Sequence, residues 1–212
     1  MHLDQEIIIV SGLPRSGTSL MMQMLDSGGV EVVTDNIRSA DPDNPKGYYE
    51  FERVKKIKQD TSWLPATRGK AVKMVSQLLY QLAPSERYRI IFTDRDLDEV
   101  LRSQEKMLQR LDRTPAPREE IRRSFTLHLE RLREWLQEQP NMQVLGVSYN
   151  DLIERPEEQA ERVSKFLGGR PDIGKMARTV DPALYRNRKT PGERASAPVA
   201  GAESEPLPCV EN

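Results

Sequence analysis

Val10-Ser11-Gly12-Leu13-Pro14-Arg15-Ser16-Gly17-Thr18-Ser19 is the stretch that decides how this chain folds. The apolar run Ile7-Ile8-Ile9-Val10 leads into it, and Leu20-Met21-Met22-Gln23-Met24-Leu25 follows. That order predicts a buried strand, a glycine-bearing turn and a helix. A helix entered this way leaves its first backbone N–H groups unpaired. With the positive end of the helix dipole they form an anion site. Gly12 and Gly17 permit backbone angles and close approach that a Cβ would block. Thr18 and Ser19 add hydroxyls, and Arg15 adds a planar charged fork suited to phosphate or sulfate oxygens. Hydrogen bonds to a charged group contribute roughly 1.5–3 kcal/mol each, so several together hold a dianion.

The nucleotide-hydrolase loop reads G-x-x-x-x-G-K-[ST]. Gly12 and Gly17 keep its glycine spacing, but Thr18 stands where the lysine belongs. That lysine reaches the terminal phosphates, so its absence argues against ordinary ATP or GTP chemistry. Pro14-Arg15-Ser16-Gly17-Thr18-Ser19-Leu20 resembles instead the 5′-phosphosulfate loop of the sulfotransferases. These enzymes take the sulfuryl group from 3′-phosphoadenosine 5′-phosphosulfate (PAPS) and release adenosine 3′,5′-bisphosphate.

Composition sets the outer bounds. The 212 residues carry 32 basic and 33 acidic side chains, a net charge of −1. One domain is expected at this length. No global field favours nucleic acid or an acidic membrane. The single cysteine, Cys209, excludes an intrachain disulfide. The N-terminus has no basic segment followed by a long apolar one, and no stretch has the length of a membrane span. A cytoplasmic protein is the expectation. His2, His128 and Cys209 lie far apart, and no metal is expected.

Strands are expected at Ile7–Val10, Val30–Thr34, Ala71–Val75, Tyr88–Thr93 and Val144–Ser148. Helices are expected at Thr18–Ser27, Glu50–Asp60, Asp96–Leu111, Arg118–Gln139, Pro156–Leu167 and Asp172–Val180. Strands alternating with helices predict an α/β domain, and the loop resemblance makes it a three-layer P-loop-type fold: a mostly parallel central sheet flanked by helices, over residues 1–189. Such sheets bind ligands at the carboxyl ends of their strands. Residues 190–212, rich in Pro, Ala, Gly, Ser and Glu, read as a disordered tail.

The segment Thr93-Asp94-Arg95-Asp96 ends a strand, and Ser103 lies about two turns into the next helix. Similarity to the sulfotransferase 3′-phosphate motif implies that Arg95 and Ser103 clamp the 3′-phosphate. The plainer alternative is a capping turn in which Arg95 pairs with Asp94, Asp96 or Asp98. Asp94 has a rival reading as a magnesium-holding carboxylate, weakened by the missing loop lysine. Val147-Ser148-Tyr149-Asn150-Asp151-Leu152 resembles the family's strand–tyrosine–acid–leucine segment, with Asn150 in place of a common glutamate. By that resemblance Tyr149 contacts the adenine end. Arg186, Arg188 and Lys189 match the basic segment that closes the 3′-phosphate site, without its glycine-rich continuation. Trp63 stands where the family often stacks an aromatic on the purine, but a core role is expected for it. The cofactor contacts implied are thus Pro14, Arg15, Ser16, Gly17, Thr18, Ser19, Arg95, Ser103, Tyr149, Arg186, Arg188 and Lys189.

Sulfuryl transfer to a hydroxyl needs a base, cationic or N–H donors on the transferring group and in-line alignment. Arg15 and the loop amides suit the second task, with Lys73 as a helper near a strand end. Many relatives use a histidine base. Here His128 sits mid-helix beside Phe125, Leu129 and Leu132, where packing is the expected role. Other relatives use glutamate. Asp35 falls close to the place where protein-tyrosine sulfotransferases carry theirs, and Glu50 is the second candidate, with Asp35 narrowly preferred. Asp41 and Asp43 are expected to shape a turn.

Three functional readings result. The leading one is a PAPS-dependent sulfotransferase acting on a hydroxyl of a small molecule or carbohydrate. The second is a magnesium-nucleotide kinase or hydrolase with a degenerate loop. The third is a non-catalytic nucleotide-binding module. The acceptor is open, and apolar residues of the long helix could serve a homodimer as well as a core.

Overall fold

The computed structural model describes residues 3–35, 37, 47–181 and 183. Its four-stranded sheet comprises β1 (Ile7–Gly12), β2 (Ala71–Lys73), β3 (Tyr88–Asp94) and β4 (Met142–Ser148), in the order β2-β1-β3-β4. Every neighbouring pair is parallel: Val10 lies opposite Lys73 and Ile91, and Thr93 lies opposite Gly12 and Val147. The helices are α1 (Thr18–Ser27), α2 (Glu52–Lys55), α3 (Leu97–Arg110), α4 (Arg118–Gln137), α5 (Tyr149–Glu154), α6 (Pro156–Phe166) and α7 (Ile173–Thr179). This is the α/β class expected, with a parallel sheet between helical layers.

β1 is apolar without alternation because both its faces are covered. Ile8 and Val10 pack with Met21, Met22 and Leu25 of α1, Val163 of α6 and Met176 of α7. Ile7 and Ile9 pack on the opposite face with Val72, Ile90, and Leu132 and Leu136 of α4. Each fully buried side chain of this kind contributes roughly 1.5–3 kcal/mol. Trp63 belongs to this second cluster at 3% exposure, edge-on to Phe51, so its role is packing, as expected.

Several boundaries differ from the sequence reading. Val30–Thr34 forms only one parallel bridge, Val32 to Ala71, since β2 spans three residues and offers little edge to pair with. Only Glu52–Lys55 of the expected Glu50–Asp60 helix is α-helical; Phe51 is extended at φ −132° and ψ 112°. Phe51, Val54 and Ile57 still turn toward the core, so their apolar spacing was real while the helix was not. β4 starts at Met142, and α5 is a separate short helix capped by Ser148, whose Oγ accepts from the Asp151 N–H. The expected tail lies outside the described residues.

α4 has 20 residues, about 30 Å of helix. Its second half buries Leu132 and Leu136 on the sheet, whereas Ile121, Phe125 and Leu129 stay half-buried. Arg118 and Arg122 tie its first turns to Asp98, and Arg118 also pairs with Glu105 of α3.

Candidate functional site

The loop lies between β1 and α1 at the carboxyl edge of the sheet. Gly12, at φ 155°, passes so close to β3 that a Cβ would stand 2.5 Å from the Thr93 carbonyl oxygen. Gly17, at φ 103°, faces the Tyr149 ring, where a Cβ would lie 2.3 Å from Cδ2. These contacts force the chain into a narrow turn at the start of α1, which no side chain caps. Its first-turn N–H groups face the mouth of the loop, the arrangement that binds anions.

Within the loop, Ser16 is buried and its Oγ lies 2.9 Å from Thr93 Oγ1. Thr93 Oγ1 in turn donates to the Ser11 carbonyl, so the Ser16 hydroxyl donates to Thr93. Ser16 therefore pins the loop to β3 through its side chain, and only its backbone is left to face a ligand. Arg15 takes a left-handed φ of 71°, a conformation that costs a non-glycine residue on the order of 1 kcal/mol. Its Nε–H donates to Ser103 Oγ at 3.0 Å, bridging 88 positions of sequence.

Arg95 is the junction of this network. Its Nη1 donates to the Arg15 carbonyl at 3.3 Å. Its Nε donates to Glu99 Oε2 at 3.0 Å, in a pair whose side chains are 7% and 2% exposed. Its Cζ stands 4.3 Å from the Tyr149 ring centroid. The local sequence explains the placement. Asp96 caps α3 by accepting from the Asp98 and Glu99 N–H groups, and that start puts Glu99 one turn and Ser103 two turns along the same helix. Asp94, at the end of β3, accepts from the Arg95 N–H, and burial pushes its carboxyl above the usual range. The structure thus brings Arg15, the Arg95–Ser103 pair and Tyr149 together, from three separate stretches of sequence.

On the β2 side of the loop, Lys73 brings a second cation to the loop hydroxyls. Lys73 Nζ lies 3.3 Å from Ser19 Oγ and donates to the Tyr48 carbonyl. Beside it runs a strap bearing both candidate bases. The Asp35 N–H and the Thr34 hydroxyl both donate to the Glu50 carbonyl at 3.1 Å. Asp35 Oδ2 accepts from the Glu52 N–H at 2.6 Å and Oδ1 from the Ile37 N–H at 3.1 Å. The Glu52 bond, foremost, holds the Asp35 carboxyl below the usual range. A carboxylate already holding two backbone donors is a poor proton acceptor. Asp35, narrowly preferred as the base, thus fastens the strap to α2. Glu50 Oε2 is 3.8 Å from Lys55 Nζ, and its side chain is 23% exposed.

His128 Nε2 is 2.9 Å from Ser76 Oγ, and its ring meets Tyr80 edge-on. Burial lowers its pKa. This is the packing position expected for it. Arg186, Arg188 and Lys189, with Asp41 and Asp43, lie outside the described residues. Sequence reading missed Glu99: its capping-turn alternative paired Arg95 only with Asp94, Asp96 or Asp98, although the i,i+4 spacing from Arg95 was an available signal. It also missed Thr93 and Tyr48. Thr93 is a strand residue whose role depends on β1 being its neighbour, which no local pattern reveals.

A strand–loop–helix anion cradle at the edge of a parallel sheet, with arginines converging from two strands, defines a phosphate-loop α/β protein. The sulfotransferase domain family model matches residues 5–191, and the chain belongs to that family. Solved structures similar to it include the sulfotransferase domain from the curacin biosynthetic pathway, with 12% identity, 88% of this chain and 84% of that one covered, and a TM-score of 0.49. Mouse sulfotransferase SULT7A1 complexed with PAP shares 13% identity over 87% of this chain and 66% of that one, at a TM-score of 0.46. A sulfotransferase from Alicyclobacillus acidocaldarius shares 15% over 84% and 87%, also at 0.46. No curated protein matches the chain. Among the described residues, no helix is long and apolar enough to cross a membrane.

Proposed function

We propose that the chain transfers a sulfuryl group from PAPS to a hydroxyl of a small molecule or carbohydrate. The observation that carries this reading is the joined two-ended site: the Arg15 loop at one end, and Arg95 with Ser103 at the other, linked by the Arg15–Ser103 hydrogen bond. A nucleotide bearing anionic groups at both its 5′ and 3′ positions fits such a site. The cradle fits its 5′ end, since Cβ atoms at Gly12 and Gly17 would collide with their neighbours and deform the turn that presents the backbone donors.

PAPS, when bound, supplies a sulfuryl group on a phosphate leaving oxygen. Around it the loop N–H groups, the Thr18 and Ser19 hydroxyls and the Arg15 guanidinium balance charge on the transferring group, and Pro14 stiffens the turn. Lys73, anchored on Ser19 and the Tyr48 carbonyl, adds positive charge on the acceptor side. Glu50 takes the acceptor's proton, and Asp35 holds the strap that carries Glu50. Arg95 and Ser103 hold the 3′-phosphate and Tyr149 supports Arg95 from beneath; the family resemblance gives Arg186, Arg188 and Lys189, outside the described residues, to the same phosphate.

Calorimetry with adenosine 3′,5′-bisphosphate and with ATP, each with and without magnesium, tests the reading. Bisphosphate binding that needs no metal is expected. A preference for magnesium-ATP would overturn it in favour of a kinase or hydrolase. Bisphosphate binding without sulfuryl transfer to any of a panel of phenols and sugars would favour the non-catalytic module.

A further inference from the structure

Arg95 meets its buried counter-charge before any ligand arrives. Glu99 Oε2 holds Nε at 3.0 Å, both side chains are almost wholly buried, and the Tyr149 ring covers one face of the guanidinium. Nη1 donates to the Arg15 carbonyl, so at least two of the five guanidinium N–H donors are engaged within the protein. An arginine buried here without a partner would be strongly destabilising, so Glu99 keeps it folded and aimed. The same carboxylate is also a fixed negative charge one helical turn from the place where a second phosphate would bind. At effective dielectrics between that of a protein surface and that of bulk water, like charges separated by one turn repel enough to change affinity on the order of tenfold.

We propose that Glu99 weakens this site's preference for a 3′-phosphate, as a positioning residue that holds Arg95 in place and limits its grip on that group. The proposal rests on the sulfotransferase reading above, since it assigns a 3′-phosphate to Arg95. Glu99 thereby favours release of the spent bisphosphate over its retention. A carboxamide in its place keeps an oxygen for the Arg95 Nε–H and removes the charge.

The test measures binding of adenosine 3′,5′-bisphosphate and of adenosine 5′-monophosphate to the full chain by calorimetry, with thermal unfolding alongside. Glu99→Gln is expected to bind the bisphosphate about tenfold more tightly and the monophosphate within about twofold of wild type, an interval far below that change. Its ligand-free form should unfold at a lower temperature, and the gain on adding bisphosphate should be larger than wild type's. Glu99→Asp controls for stability: it retains the charge, so it should be destabilised yet keep wild type's preference for bisphosphate over monophosphate. If Glu99→Gln binds the bisphosphate no better than wild type does, Glu99 is a structural residue only and the proposal fails. If wild type itself does not prefer the bisphosphate, the 3′-phosphate reading of Arg95 fails, and this proposal with it.

Discussion

The two sides of the loop are built differently. On the β3 side, Arg15, Ser103, Arg95, Glu99 and Tyr149 satisfy one another, with Arg15 half-buried and the other four side chains buried. On the β2 side, Asp35, Glu50, Glu52 and Lys55 interact within one short strap and remain partly open. A preorganised network suits the recognition of one invariant group, because its reorganisation is complete before binding. An open strap suits an acceptor that must arrive, lose a proton and leave. On the proposed function, donor binding falls to the β3 side and acceptor chemistry to the β2 side, and substitutions on each side should separate the two.

The largest effect is expected from Arg15→Ala, which removes a cation from the transferring group and the link to Ser103. Radiolabelled sulfuryl transfer should fall by about 10²–10³, while the unfolding temperature moves by only a few degrees. Unchanged turnover would dissolve the donor side as drawn.

Next in size is Glu50→Gln, with turnover down by about 10², the low end for a general base, and bisphosphate affinity unchanged. Asp35→Asn should lose less turnover than Glu50→Gln, because its carboxylate oxygens are already held by N–H donors. The opposite order would restore Asp35 as the base.

Gly17→Ala probes the seam between the sides. The new methyl at φ 103° meets the Tyr149 ring and pushes it from beneath Arg95. A loss on the order of 1–3 kcal/mol in stability is expected, with bisphosphate affinity reduced by about tenfold, the equivalent of one stacked or charge-assisted contact. Retained affinity in a destabilised protein would show that Tyr149 supports the loop without aiming Arg95.

The donor side was the more legible in the sequence. Its loop is contiguous, and the glycine spacing, Arg15 and the hydroxyls carry the physics of an anion cradle in one stretch. Arg95 and Ser103 were readable because a strand end and a helix start set their separation. What joins them was not readable, since Arg15–Ser103 and Ser16–Thr93 depend on β1 and β3 being neighbours. The acceptor side was misread in its secondary structure, and its base was ranked without sight of the bond that holds Asp35, for a related reason. Phe51, Val54 and Ile57 recur at helical spacing but wrap onto the core mostly as turns, and the Asp35 carboxylate is captured by a backbone group 17 positions away. Spacing reports which side chains are buried, and it does not report which backbone N–H groups need a partner.

The smallest effect tests that last point through pH. Asp35 has a folded pKa below its unfolded value of about 3.9, chiefly through the Glu52 N–H. Its stabilising contribution is therefore fully present above the unfolded value and is lost as pH falls through the lowered folded value. Asp35→Asn should destabilise the protein at neutral pH by about 1 kcal/mol, the ordinary size of a helix-capping bond. The gap between wild type and Asp35→Asn in urea midpoint should close as the pH is taken below the unfolded value. A gap that persists undiminished into acid would mean that the strap is held by something other than the ionised carboxylate. The division between a closed donor side and a fastened but open acceptor side would then lose its physical basis at Asp35.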